Sequence, residues 1–409
     1  MKKGDEIILE KQISKIKLNE GELEIINSET DEIINEIKKS LKKRKIKAEV
    51  FLGGSLAKGT LIRKKDYDID IFVRFHEDKN ISERLSSVIN AERVHGSRDY
   101  FRIRKKNILF EIIPVLKINK PEEAKNITDL SYFHVGYVLN ETKKNKKLAD
   151  EIMLAKCFCF AQRCYGAESY VKGFSGYALE LLVSHYGSFT NFIKEIIKEK
   201  IPIVIDPKKF YKDEDDVLNQ LNESKLQSPI VFVDPTYKQR NSLAALSNET
   251  FEKFKQACSD FLKKPSEKFF EEKKIDEKKF NLVLEASTDR QEGDIAGSKL
   301  LKFSRLVSSK LERYFKIKNE DFDYLGKRAG RLYFKIEKRK DIIYSGPPIN
   351  KPERLLSFKQ AHKKVFIKNH VAFAIEKSIS FKEFFSKFLK ENKKVMKEMG
   401  ITKLKIIKS

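Results

Sequence analysis

Tyr67-Asp68-Ile69-Asp70-Ile71-Phe72-Val73 is an apolar run interrupted by two aspartates at alternate positions. Side chains two apart on a strand share a face, so Asp68 and Asp70 stand together while Ile69, Ile71 and Val73 turn the other way, toward a core. Aspartate is a poor strand former, and a pair inside such a run calls for a reason. Two carboxylates held side by side raise each other's pKa unless a cation sits between them. Mg²⁺ suits that place, because it takes oxygen ligands and keeps positions for substrate phosphates. The plainer reading of the same pair is a solvated strand end.

Upstream, Ile46, Ala48, Val50 and Leu52 alternate with Lys47, Glu49 and Phe51, the pattern of a half-buried strand. It ends at Gly53-Gly54-Ser55, and a short helix or turn follows from Ala57. A Gly-Ser turn between strand and helix leaves backbone N–H groups and a hydroxyl to grip phosphate, and Lys58 adds a cation one turn on. Alone such a turn is an ordinary loop; its weight comes from preceding an Asp-x-Asp strand. Downstream, Glu111 is a charge inside Ile108-Leu109-Phe110-Glu111-Ile112-Ile113. A buried carboxylate without a partner is costly. If this third strand lies beside the second, Glu111 completes a three-carboxylate cluster of the kind two-metal phosphoryl transfer requires. If it does not, Glu111 faces water on an edge. Pro114 is expected to stop the strand there or just beyond.

Farther out, the first 45 residues read as helical, with a weak N-cap signal at Ser28 and a stripe of Ile33, Ile34, Ile37 and Leu41 on one face. The basic run 143–147 reads as a linker, and 263–266 as a second boundary. Between them, 148–165, 176–199 and 250–262 read as helices and 231–235 as a short strand. The remainder mixes strand patterns (280–285, 331–338, 371–376) with helical ones (297–314, 381–399), which suggests a small α+β domain. Cys157, Cys159 and Cys164 fall in an apolar helical stretch without a companion cluster, so they read as buried, reduced thiols rather than a zinc site.

The chain has 409 residues, with 84 Lys and Arg against 60 Asp and Glu, a formal charge of +24. That surplus favours a polyanionic partner, although a lysine-rich genome or heat adaptation would also produce it. No apolar run is long enough to span a membrane and no signal-peptide core is present, so a soluble cytoplasmic protein with no membrane partner is the expectation.

Gly54-Ser55 followed by Asp68-Ile69-Asp70-Ile71-Phe72-Val73 resembles the signature of the DNA polymerase β-like nucleotidyltransferases. Three further blocks narrow the resemblance to the archaeal-type (class I) CCA-adding enzymes, which are tRNA nucleotidyltransferases. They are Ser131-Tyr132-Phe133-His134; Tyr165-Gly166-Ala167-Glu168 with Val171-Lys172-Gly173-Phe174-Ser175-Gly176-Tyr177 and Glu180-Leu181-Leu182; and Val233-Asp234-Pro235 with Arg240-Asn241 and Ala244-Ala245-Leu246-Ser247. The similarity runs in order through most of 28–262 and fades after it, where Gly346-Pro347-Pro348 is the best echo.

The resemblance implies an α+β fold: a polymerase β-like head of mixed sheet and helices over 1–142, a mainly helical central domain over 143–264, and a small α+β tail over 265–409 that binds tRNA. It implies that Asp68, Asp70 and Glu111 bind Mg²⁺ in a two-metal site and carry catalysis. Ser55 and Lys58 would hold the nucleoside triphosphate, His134, Lys156 and Tyr165 would contact the triphosphate or its sugar, and Arg240 would touch the incoming base. The implied reaction is in-line attack by the tRNA 3′-hydroxyl on the α-phosphorus of CTP or ATP, without a nucleic-acid template, releasing pyrophosphate. The implied partner is tRNA, through its acceptor stem and T arm, and a homodimer is left open. Lys327, Arg328, Arg331 and the basic residues of 335–340 are candidate tRNA contacts, or simply a solvated face. The chain departs from the family pattern at Glu111, where aspartate is usual, at Lys58 and Leu130, where arginines are, and at Arg98-Asp99-Tyr100, which stands for His-Pro-Tyr. Lysine keeps the charge of arginine and loses its bidentate fork. A poly(A) or oligonucleotide-adding polymerase of the same superfamily, and a non-catalytic RNA-binding protein with a degenerate transferase domain, are the competing readings.

Overall fold

The helical stretch expected over the first 45 residues is two helices, and the long one that backs the first sheet is capped at Asn19, upstream of the weak Ser28 signal. The computed structural model describes residues 3–77, 79–339, 342–362, 364–376 and 378–409, and its chain opens with α1 (Lys3–Ile16) and α2 (Glu20–Lys43). The Asn19 side chain accepts from the Glu22 N–H, and the Glu22 carboxylate accepts from the Asn19 N–H. This reciprocal capping box satisfies two otherwise orphaned donors, which is why the helix starts there. Ile26, Ile33, Ile34, Ile37 and Leu41 form its buried stripe.

β1 (Ala48–Leu52), α3 (Gly54–Ala57), β2 (Tyr67–Phe75), α4 (Ile81–Val88), β3 (Glu92–Val94), β4 (Tyr100–Lys105) and β5 (Ile108–Leu116) follow. The strands form one sheet in the order β1-β2-β5-β4-β3. β2 and β5 run parallel, and the other neighbours are antiparallel. One face carries Ile69, Ile71, Val73, Phe75, Phe110 and Ile112, packed with the stripe of α2 and with Ile81, Leu85 and Val88 of α4. The strand period therefore leaves Asp68, Asp70, Glu111, Phe72 and Ile113 on the other face. Pro114 does not stop β5, which continues to Leu116. Pairing of β4 with β5 ends at Ile112, so from there β5 keeps only β2 as neighbour, and a residue without an N–H is tolerated.

A mainly helical region comes next: α5 (Ser131–Lys144), α6 (Leu148–Ala161), α7 (Gly176–Tyr186), α8 (Phe189–Ile196), β6 (Ile203–Ile205), α9 (Glu214–Gln220), β7 (Ile230–Asp234), β8 (Tyr237–Asn241) and α10 (Asn248–Lys263). α6 is apolar nearly all round because α1, α7 and α8 surround it, and Phe158, Phe174, Phe189, Phe192, Phe254 and Phe261 fill the core between them. The cysteines are free and buried in this core. The expected helix over 176–199 is two, broken at Gly187, which takes the left-handed conformation at the end of α7. Phe269 and Phe270 pack on the same core.

The chain divides into two compact units, Met1–Ala167 with Val171–Lys273, and Glu168–Tyr170 with Lys274–Ser409. In the second, β9 (Leu282–Thr288), α11 (Asp294–Leu311), β10 (Phe315–Gly326) and β11 (Ala329–Lys338) precede β12 (Ile342–Pro348), α12 (Pro352–Ala361), β13 (Val365–Lys368) and β14 (Val371–Glu376). α13 (Phe381–Glu391), α14 (Lys393–Glu398) and β15 (Ile401–Lys408) close it. One sheet has the order β10-β11-β9-β15, the other β12-β14-β13. α11 and α13 lay Leu300, Phe303, Val307, Phe384 and Phe388 over the larger one. Lys327 and Arg328 make the left-handed turn between β10 and β11. Arg331 is bound to Glu277 at 2.8 Å, and Lys340 lies outside the described residues. Among the described residues no helix is long and apolar enough to cross a membrane.

Candidate active site

Asp70 and Glu111 are register partners on the parallel strands β2 and β5, and Asp68 lies on the same face of β2. The turn between β1 and α3 closes over Asp70. Gly53 donates its N–H to the Asp70 carbonyl at 2.8 Å. Gly54 has a φ of +60°, and a Cβ there would fall 1.9 Å from Asp70 Oδ2. Only glycine accepts both the left-handed backbone and that approach. Burial of the Asp70 carboxyl, the charge of Glu111 and then that of Asp68 push its pKa up to about 7, against the pull of Lys58 and Lys64. Asp68 is exposed and bonded to Lys64 at 2.8 Å.

Glu111 has a partner that the sequence reading does not assign. Arg102, opposite it on β4, donates to Oε1 through Nε at 3.0 Å and Nη2 at 2.8 Å, and also reaches the Tyr100 hydroxyl at 3.0 Å. The three carboxylates share one sheet face, but two of them are turned to cations. Among the described residues no three Asp, Glu, His or Cys side chains converge in a metal-holding group. The donor set nevertheless fits Mg²⁺: it offers hard oxygens only, and burial together with the charges of Glu111 and Asp68 makes the ionised Asp70 carboxylate one that a cation would favour.

Lys58, the residue that closes α3, is buried at 9% exposure, and Lys156 in α6 at 4%. Both reach Glu180 of α7, itself 1% exposed: Lys58 Nζ lies 2.6 Å from Oε2 and Lys156 Nζ 2.7 Å from Oε1. Thr60 bridges, accepting from Lys156 at 2.8 Å and donating to Oε1 at 3.2 Å. Burial alone would raise the Glu180 pKa, but the charges of Lys156 and Lys58 and their hydrogen bonds outweigh it and hold it at about 2. Ser55 lies in α3, where its carbonyl accepts from the Thr60 N–H at 2.9 Å. Tyr165 lies beyond the end of α6 and packs against Phe160. A Cβ on Gly176 would come within 2.9 Å of the Tyr165 hydroxyl and 3.7 Å of Lys156 Cε, so that bare backbone lets the phenol approach the lysine.

His134 and Arg240 meet on Asp234, which is fully buried at the end of β7. Arg240 Nη1 lies 2.6 Å from Asp234 Oδ2 and 3.1 Å from His134 Nε2, and His134 Nε2 lies 3.3 Å from the same oxygen. Tyr177 donates to Asp234 Oδ1 at 3.1 Å, and its ring stacks on His134 at 4.1 Å. Burial would raise the Asp234 pKa, yet His134 and Arg240 hold it well below the usual range. Burial lowers that of His134. Lys58 Nζ stands 5.9 Å from the centre of the Tyr177 ring, which joins this group to the lysine pair. At the altered family positions, Leu130 is fully buried, and Arg98 is bound to the buried Asp129.

Arg102, Thr60, Tyr177, Glu180 and Asp234 are thus the residues that carry no assigned role in the sequence reading. Glu180 had a legible signal, as the sole Asp, Glu, Lys or Arg in Gly176–Tyr186, and Asp234 ends an otherwise apolar strand.

Residues 34–153 match the family model of the nucleotidyltransferase domain, and residues 150–271 that of the second domain of tRNA nucleotidyltransferase. A CCA-adding enzyme of Nanoarchaeum equitans is 37% identical over 276 residues, covering 65% of this chain and 67% of that protein. One from Methanocaldococcus jannaschii is 31% identical over 407 residues, covering 90% and 87%. Among solved structures, a cytoplasmic RNA terminal U-transferase superposes with a TM-score of 0.52 at 14% identity, over 67% of this chain and all (100%) of that one. At that identity the likeness establishes the fold, that of the polymerase β-like nucleotidyltransferases. With relatives of this identity and coverage, and both domain models matched in order, the chain belongs to the archaeal-type CCA-adding enzymes, tRNA nucleotidyltransferases that add CCA at the tRNA 3′ end.

Proposed function

We propose that this chain adds C, C and A to the tRNA 3′ end from CTP and ATP, without a nucleic-acid template and with release of pyrophosphate. The observation that carries the reading is the pairing of Asp70 with Glu111 across parallel strands, under a glycine turn and in reach of the Lys58 charge. Asp68, Asp70 and Glu111 are the residues that would hold Mg²⁺, which in a two-metal site lowers the pKa of an attacking hydroxyl and offsets triphosphate charge. The tRNA 3′-oxygen bonds to the α-phosphorus as the bond to pyrophosphate breaks. Ser55, Lys58 and Lys156 hold the triphosphate and neutralise the charge that grows on the leaving group. His134 and Tyr165 contact the triphosphate or its sugar. Arg240, its guanidinium fixed by Asp234, faces the incoming base, since no template supplies that choice.

The division into head 1–142, central domain 143–264 and tail 265–409 belongs to the same proposal, and the meeting of the two family models at 150–153 supports its first boundary. The formal charge of +24 supports contact with the phosphates of the tRNA acceptor stem and T arm, with Lys327 and Arg328 as contact candidates.

The test is incorporation of labelled CTP and ATP, separately and together, into tRNAs truncated at the 3′ end. Addition should stop after C-C-A, and Asp68→Ala with Asp70→Ala should abolish it while tRNA binding persists. Unlimited tailing would make the chain a general polymerase, and incorporation by the double variant would sink the site. Glu111→Asp should retain activity, whereas Glu111→Gln should lower it by orders of magnitude.

A further inference from the structure

Two buried ammonium groups and one buried carboxylate form a closed cluster in the first unit. Glu180 Oε1 takes Lys156 Nζ and the Thr60 hydroxyl, Oε2 takes Lys58 Nζ, and Lys156 also donates to Thr60. Lys58 and Thr60 come from the loop after α3; Lys156 and Glu180 come from α6 and α7. Exposures of 9%, 4% and 1% leave these charges little water. Two cations this close, desolvated and without an anion, would repel each other and favour loss of a proton or a change of rotamer. The carboxylate between them offsets part of that cost: burial and the neighbouring Lys58 lower the Lys156 pKa, and the charge of Glu180 raises it again.

The cluster is also held in a fixed direction. Thr60 braces the Glu180 oxygen on one side, and the carboxylate ends the reach of both flexible lysine stems. A long lysine side chain has many rotamers, and much of that freedom is lost when it grips a ligand from a free state. Here that ordering precedes the ligand.

We propose that Glu180 is the positioning residue of the triphosphate site, an internal counter-ion that keeps Lys58 and Lys156 ordered and aimed before CTP or ATP arrives. The inference rests on the reading of Lys58 and Lys156 as triphosphate ligands. Because the partners come from the loop after α3 and from helices α6 and α7, the phosphate site is complete only where these segments are seated together. Glu180 touches neither nucleotide nor primer, and acts through the lysines.

Glu180→Gln keeps the shape and removes the charge. Affinity for CTP and ATP, measured without tRNA, should fall about 10- to 100-fold, the scale of a hydrogen bond to a charged group. The KM for nucleotide should rise in parallel, with a smaller fall in kcat and an unchanged tRNA affinity. Glu180→Asp should recover part of the loss. In a Lys156→Met background Glu180→Gln should cost less than in the unmodified chain, because only the part that passes through Lys58 remains. Thr60→Val, a milder change, should weaken nucleotide binding several-fold even if Glu180→Gln fails to fold. Unchanged nucleotide affinity in folded Glu180→Gln or Thr60→Val, with Lys156→Met damaged, overturns the positioning role alone. Parallel loss of kcat, nucleotide affinity and tRNA affinity also overturns it, leaving a structural brace. Wild-type nucleotide affinity in Lys156→Met overturns this inference and the triphosphate reading beneath it.

Discussion

Asp70 is the group in which the carboxylate cluster is most plainly felt. Its pKa stands at about 7 because its carboxyl is buried and faces Glu111 and Asp68. A carboxyl raised this far is protonated below that pH and ionised above it. A proton therefore competes with any cation for the same oxygens, and Mg²⁺ affinity should fall up to about tenfold per pH unit below 7. Calorimetric titration with Mg²⁺ between pH 5.5 and 8.5 reads this directly, and Asp70→Asn should flatten the profile. A flat profile in the unmodified chain would mean that Asp70 is no ligand. Glu111 was legible as an out-of-place charge, but its Arg102 partner was not. The alternation Tyr100-Phe101-Arg102 reads as a strand only once β4 is known to lie against β5.

Local chemistry sets where α2 begins. Asn19 and Glu22 close on each other over three residues, a signal present in the sequence and stronger than the Ser28 one. Asn19→Ala should destabilise the protein by about 1 kcal/mol, seen as a lower urea midpoint with unchanged slope; no change would mean that packing of the isoleucine stripe alone sets the helix start. β5 shows the opposite case. Pro114 argues locally for a strand end, yet the strand continues, because what proline needs is a missing neighbour on one side, and neighbours are a tertiary property. The carboxy-terminal helical pattern over 381–399 is broken at Asn392 into α13 and α14, where the Asn392 side chain bonds back to the Phe388 carbonyl. That competition with the helix backbone is typical of asparagine and was there to be read.

Over the whole molecule, charge has the longest reach. A formal +24 on 409 residues predicts binding to tRNA that weakens steeply with salt. If about five phosphates are neutralised, the logarithm of affinity should fall with the logarithm of salt concentration with a slope near −4. A slope close to zero, by filter binding across a salt series, would remove phosphate contact from the account of recognition. The two compact units divide the hydrophobic work. The first joins the head sheet to the helical region through the loop after α3, and the second builds its own sheet core under α11 and α13. α1 belongs to the helical core, with Leu9 and Ile16 against α6, although it precedes the head in sequence. No local pattern could show that, since its apolar face fits any comparably greasy partner.

The sequence by itself determined the features encoded over a few residues. It determined the Asp-x-Asp face, the glycine turn before it, the buried stripe of α2, and the motif order that marks the family. Periods of 2 and 3.6 and the steric freedom of glycine act within one or two turns of chain, so they are readable without the fold. Only the tertiary structure decided the partners. It set Asp70 against Glu111, turned Glu111 to Arg102, placed Asp234 under His134 and Arg240, and put Glu180 between Lys58 and Lys156. Most of these join positions far apart in the chain, and a buried charge states only that it needs a counter-charge, not which of many will be brought to it.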